Sequence, residues 1–86
     1  MKINLRVTFN DETVQQVSAT ARDLVAFEEK YSRSVAKMQQ EMKLTDLLFI
    51  AWNSLHRTNK TNKDFETWLD DVEGIEASDD DPKLSG

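Results

Sequence analysis

Lys2-Ile3-Asn4-Leu5-Arg6-Val7-Thr8-Phe9 alternates polar and apolar side chains without a break. Successive side chains of an extended backbone point to opposite sides, so Ile3, Leu5, Val7 and Phe9 share one face of a strand. Asn10-Asp11 follows, a pair that tolerates turn geometry, and Thr13, Val14 and Val17 form a weaker second strand. Residues 2–18 therefore read as a β-hairpin. A lone hairpin is marginal in water, so its apolar face must rest on another part of the chain.

The supporting elements read as helices. Thr20-Ala21-Arg22-Asp23 fits a capping box, in which hydroxyl and carboxylate satisfy free N–H groups of a first helical turn. Projected at about 100° per residue, Ala21, Leu24, Phe27, Tyr31, Val35, Met38 and Met42 fall within one arc. This predicts a helix over 21–40, and the weak helix formers Ser32-Arg33-Ser34 mark where it would break. Thr45 is the expected cap of a second helix over 45–57, with Asp46 against its N-terminal dipole. Leu44, Leu47, Leu48, Ala51, Trp52 and Leu55 share one face of it. Phe49 and Ile50 fall outside that face. They imply either a helix packed on several sides or a surface awaiting a partner.

Past the polar connection His56–Asn62, Thr61-Asn62-Lys63-Asp64 reads as a further capping box. Phe65, Trp68, Leu69, Val72 and Ile75 then recur as one helical stripe, predicting a third helix over 62–76. Residues 77–86, with Asp79-Asp80-Asp81, have almost nothing to bury and are expected to form a mobile acidic tail. The expected fold is α+β and mostly α: an N-terminal hairpin packed on a bundle of three or four helices, in one domain over 1–76.

Composition narrows the function. The chain has 86 residues, 38% of them hydrophobic and 31% charged, which suits one small globular domain. With no cysteine there is no disulfide, thiolate metal site or thiol nucleophile. The apolar run Leu47–Trp52 is far shorter than a bilayer span, and the alternating N-terminus lacks the continuous apolar stretch of a secretory leader. A cytosolic setting is expected. Sixteen acidic residues against eleven basic give a net charge of −5, which disfavours nucleic acid and anionic lipid as partners.

Catalytic constellations are not evident. The single histidine, His56, sits at a helix end, where a favourable interaction with the helix dipole explains it. Asp64, Glu66, Asp70, Asp71 and Glu73 lack the spacing of a calcium loop and read as a solvated helix face. Gly74 and Gly86 are the only glycines, so no glycine-rich phosphate loop exists. The expectation is a binding protein without catalytic residues, cofactor or metal. The cations of 56–63 form one basic stretch, which leaves a small DNA-binding regulator or antitoxin as the alternative. Trp52 and Trp68 suit either core or interface, since tryptophan serves both.

Three segments carry a resemblance. Phe27-Glu28-Glu29-Lys30-Tyr31 follows the hairpin. Thr45-Asp46-Leu47-Leu48-Phe49-Ile50-Ala51-Trp52 then runs on to Leu55-His56-Arg57, and Phe65-Glu66-Thr67-Trp68-Leu69-Asp70-Asp71-Val72 closes the folded part. In this order they resemble the small tail assembly chaperones of long-tailed bacteriophages, a group related in role to the G protein of phage lambda. The likeness spans about residues 2–76 and rests on apolar and aromatic patterns.

The resemblance implies a protein that coats the aggregation-prone tape measure protein and helps tail tube subunits polymerise around it. It implies action in the host cytoplasm, absence from the finished virion, and a longer form made by programmed ribosomal frameshifting that recruits the tube protein. Asp81-Pro82-Lys83 permits a slippery site of the C-CCA-AAA type. Self-association is a further expectation, and a structural subunit retained in the particle is a third reading. An apolar surface inside a polar rim would serve the chaperone role, with Phe49, Ile50, Trp52 and Trp68 as its expected partner-binding residues.

Overall fold

The computed structural model describes residues 2–32, 34–40 and 43–78. Strands β1 (Lys2–Phe9) and β2 (Val14–Thr20) form the expected hairpin, with Leu5 opposite Val17 and Ile3 opposite Ala19. Its connection is held by Asp11, whose Oδ1 accepts from both the Thr13 N–H (3.0 Å) and the Thr13 hydroxyl (2.6 Å). Those bonds hold the Asp11 carboxyl below the usual carboxylate range. Glu12 takes a left-handed conformation with φ 73° to complete the reversal.

Helix α1 (Ala21–Tyr31) starts at the capping box read from the sequence: the Thr20 N–H donates to Asp23 Oδ2 at 2.9 Å. It ends where the weak formers begin, with Ser32 left-handed at φ 53°. A short α2 (Val35–Gln40) follows, its Lys37 N–H donating to Ser34 Oγ at 3.1 Å. The continuous helix over 21–40 is therefore broken. The side chains of Val35 and Met38, and residue Met42, lie outside the described part.

Helix α3 (Leu44–Arg57) is capped at Lys43, so Thr45 stands inside the first turn instead of capping it. Its buried residues include Phe49, Ile50 and Ala51 in succession, because α1, α4, β2 and β3 surround it. The predicted apolar face is rotated accordingly: Leu44 at its N-terminal end is 61% exposed. The pair left over in the helical projection marks a central helix.

The third predicted helix is mostly wrong. Helix α4 is only Phe65–Leu69, and Asp64, not Thr61, caps it by accepting from the Thr67 N–H at 2.8 Å. Val72–Ala77 is a strand, β3, antiparallel to β1 on the side away from β2, so the sheet order is β2-β1-β3. The register explains the misreading. Thr8 faces Gly74 but Phe9 faces Val72, so Glu73 is the extra residue of a bulge. A bulge returns residues three apart to the same side, and Val72 and Ile75 both pack on the core. Their spacing imitates a helical stripe. β-Branched side chains and an open edge on β1 favour the strand.

Ala77, assigned to the tail, thus ends β3, and the Ser78 N–H donates to the Asn4 carbonyl at 2.8 Å. Residues 79–86, including Asp81-Pro82-Lys83, lie outside the described part. The expected hairpin on a helical bundle is a helical layer on one face of a three-stranded antiparallel sheet. The core lies between them, built from Leu5, Val7, Val17 and Ala19 of the sheet with Leu24, Phe27, Ile50, Leu55 and Trp68 of the helices.

Candidate partner-docking groove

The aromatic side chains form one connected cluster. Phe27 lies 5.3 Å from Tyr31 between ring centroids, and Tyr31 meets Phe49 edge-on at 5.3 Å. Phe49 in turn lies 5.7 Å from Trp52 and 5.5 Å from Phe65, with Phe65 and Trp52 5.7 Å apart. Trp68 stacks beyond Phe65 at 6.5 Å and meets Phe9 edge-on. Phe49 and Trp68 are buried, whereas Tyr31, Trp52 and Phe65 are half-buried. Between α1, α3 and the start of α4 they line an open groove of about 460 Å³, with Lys30, Asp64 and Glu66.

Each wall is fixed in place. The Trp52 indole N–H donates to the Lys63 carbonyl at 2.9 Å, and its ring packs against His56 at 4.9 Å. Phe65 opens α4 immediately after the Asp64 cap. Tyr31 closes α1. Burial pushes the Tyr31 hydroxyl above its ordinary value, and the nearby carboxylates of Asp46 and Glu66 push it further the same way.

The expected docking residues are divided by this geometry. Phe49 and Ile50, expected to be exposed, are 6% and 0% exposed and belong to the core, with Phe49 as the groove floor. Trp68 is also core. Trp52 alone of the four reaches the groove surface. Tyr31 and Phe65 join it there; the sequence placed them on apolar stripes without singling them out, because periodicity gives a face and not the depth of burial on that face.

A second concavity of about 570 Å³ lies between α1 and α3, lined by Ala21, Val25 and Ala26 with Arg22, Glu29, Asn53 and Arg57. Its apolar side chains are alanine and valine, and no aromatic ring lines it. Below it the fully buried Asp23 carboxylate accepts from Arg57 Nε (3.1 Å), Arg57 Nη2 (2.9 Å) and Asn53 Nδ2 (2.8 Å). The basic stretch 56–63 is partly neutralised in the same way, with Arg57 held by Asp23 and the Lys63 ammonium paired with Asp71. Among the described residues no group of three His, Cys, Asp or Glu is placed to hold a metal, and no helix is long and apolar enough to cross a membrane.

Fold and groove define a small α+β domain, mostly helical, with an antiparallel three-stranded sheet. Comparison with protein-family models, curated proteins and solved structures finds no match to this chain.

Proposed function

We propose that this chain is a non-enzymatic tail assembly chaperone of a long-tailed bacteriophage. It binds the tape measure protein, promotes tail tube polymerisation in the host cytoplasm and leaves before the virion is complete. A longer frameshifted form recruits the tube protein.

The observation that supports this reading is a convergence. Tyr31, Trp52 and Phe65 come one from each of the three segments that carry the resemblance, and they line one open groove with charged side chains at its rim. Half-exposed tryptophan and tyrosine in a concave setting are the residue types that dominate binding energy at protein interfaces. The alternative as a DNA-binding regulator leans on residues 56–63, where Arg57 and Lys63 already sit in ion pairs.

Co-expression with the tape measure protein encoded beside it tests the proposal. The tape measure protein is expected to stay soluble and to co-purify with the chain, and mass spectrometry of purified virions is expected to lack the chain. An insoluble, uncomplexed tape measure protein, or stoichiometric chain in the virion, overturns the reading.

A further inference from the structure

We propose that the aromatic groove is a cage for a cation, and that it takes an arginine side chain presented by the partner polypeptide. The inference rests on the groove being the partner-docking surface and adds the chemistry of what enters it.

The lining offers two kinds of surface. One is the ring area of Tyr31, Trp52 and Phe65 above the Phe49 floor, with neighbouring centroids 5.3 to 5.7 Å apart. The other is carboxylate: Asp64 and Glu66 stand on the α4 side, against Lys30 on the α1 side. The Asp64 carboxylate caps α4 and accepts from both the Thr67 N–H and the Thr67 hydroxyl, so the exposed Glu66 is the carboxylate offered to a ligand. The Trp52 N–H is already given to Lys63, so the indole offers its ring area and no donor.

Three ligand classes meet this lining differently. A purely apolar group would strip water from two carboxylates without replacing it. An anion finds one cation, Lys30, against two carboxylates and the negative faces of the rings. A cation satisfies both surfaces together, by the ring quadrupole and by charge-assisted hydrogen bonds. Arginine fits better than lysine because its planar guanidinium stacks on ring faces while its fork of N–H donors reaches a carboxylate.

The test titrates the full chain with N-acetyl-arginine N-methylamide and with its citrulline and lysine counterparts, reading the Trp52 indole N–H resonance by NMR. Saturable shifts are expected for the arginine compound with affinity on the order of millimolar, and at least about tenfold weaker binding for neutral citrulline. Glu66→Gln, at an exposed position, is expected to weaken arginine binding roughly threefold while leaving the amide spectrum unchanged. Trp52→Leu removes the reporting indole and is read on the Phe65 backbone amide instead; it is expected to abolish binding, and if that variant does not fold, Glu66→Gln carries the test. Equal binding of citrulline or lysine, no saturable shift with arginine, or an unaffected Glu66→Gln variant overturns the cage. Such a failure alongside intact tape measure co-purification removes the cage and leaves the chaperone reading standing.

Discussion

Arg57 grips Asp23 with two hydrogen bonds, Nε to Oδ1 at 3.1 Å and Nη2 to Oδ2 at 2.9 Å, and so fastens the end of α3 to the start of α1. The carboxylate is fully buried, while the guanidinium side chain is 33% exposed. Removing Arg57 strands a buried charge. Arg57→Ala is therefore expected to lower stability by roughly 2–3 kcal/mol, below the usual figure for a fully buried pair because water reaches the arginine side. Urea denaturation of Arg57→Ala, Asp23→Asn and the double variant checks this. The double variant should be less destabilised than the two single effects added together, and simple additivity would show that the two residues do not act as a pair.

The same carboxylate makes stability depend on pH. Burial alone would raise the Asp23 pKa, but the hydrogen bonds from Arg57, Thr20 and Asn53, with the Arg57 charge, outweigh it and hold the group below its ordinary 3.8. A group depressed in the folded state contributes its stability above the unfolded pKa and loses it as pH falls through the folded pKa. The contribution is thus complete at neutral pH and fades below about pH 4. Acid denaturation followed by circular dichroism should show Asp23→Asn less stable than the parent at pH 7, with the gap narrowing below pH 4. A gap constant across that range refutes the assignment.

Core and surface on α3 separate by substitution. Ile50 is completely buried, so Ile50→Ala is expected to cost about 2–5 kcal/mol, and a charge there should unfold the domain. Leu44, on the same helix and 61% exposed, should tolerate serine within about 0.5 kcal/mol. Thermal melts of the two variants decide it. Comparable losses at both positions would mean that α3 is not buried as described.

These contrasts mark what the sequence makes legible. Some local signals were reliable: the alternation of Lys2–Phe9, the Thr20–Asp23 capping box and the weak formers at Ser32–Ser34 each gave an element or its end, whereas the caps read at Thr45 and Thr61 fall at Lys43 and Asp64. Distant pairing was hidden. Nothing local to Val72-Glu73-Gly74-Ile75 announces that β1 has a second free edge, and the bulge disguises a strand as a helical stripe. Burial was hidden for a similar reason. Phe49 and Ile50 look spare on a helix imagined with one buried face, and become core once α1, α4 and the sheet enclose it. The groove lies between these cases: its aromatic residues were visible as types, while the half-exposure of Tyr31, Trp52 and Phe65 depends on how three separate helices meet.

The hairpin connection carries removable strain. Glu12 has φ 73°, a left-handed conformation that disfavours any residue with a Cβ. Glu12→Gly relieves it and is expected to stabilise the domain by roughly 0.5–1 kcal/mol, the remainder being offset by the greater freedom of glycine in the unfolded chain. A higher urea midpoint with an unchanged denaturant slope is the expected result, and a lower midpoint contradicts the left-handed turn.

Gly74 tests the strand that replaced the predicted helix. It pairs with Thr8 in β3, its φ is not positive, and a Cβ built on it meets no atom within 4 Å. Nothing in the turn, the packing or the backbone therefore requires glycine here. Threonine fits a pleated strand and orders less easily into a helix, so Gly74→Thr is expected to stabilise the domain by about 0.5–1 kcal/mol. Alanine distinguishes the alternatives: in a helix it should outperform threonine, whereas in β3 threonine should outperform alanine. Chemical denaturation of the two variants side by side, with amide exchange protection read at Gly74 and Glu76, checks the ordering. The hydrogen-bonded β1–β3 register predicts slow exchange at both amides, and alanine proving the better substitution would return residues 72–77 to the helix that their spacing suggests.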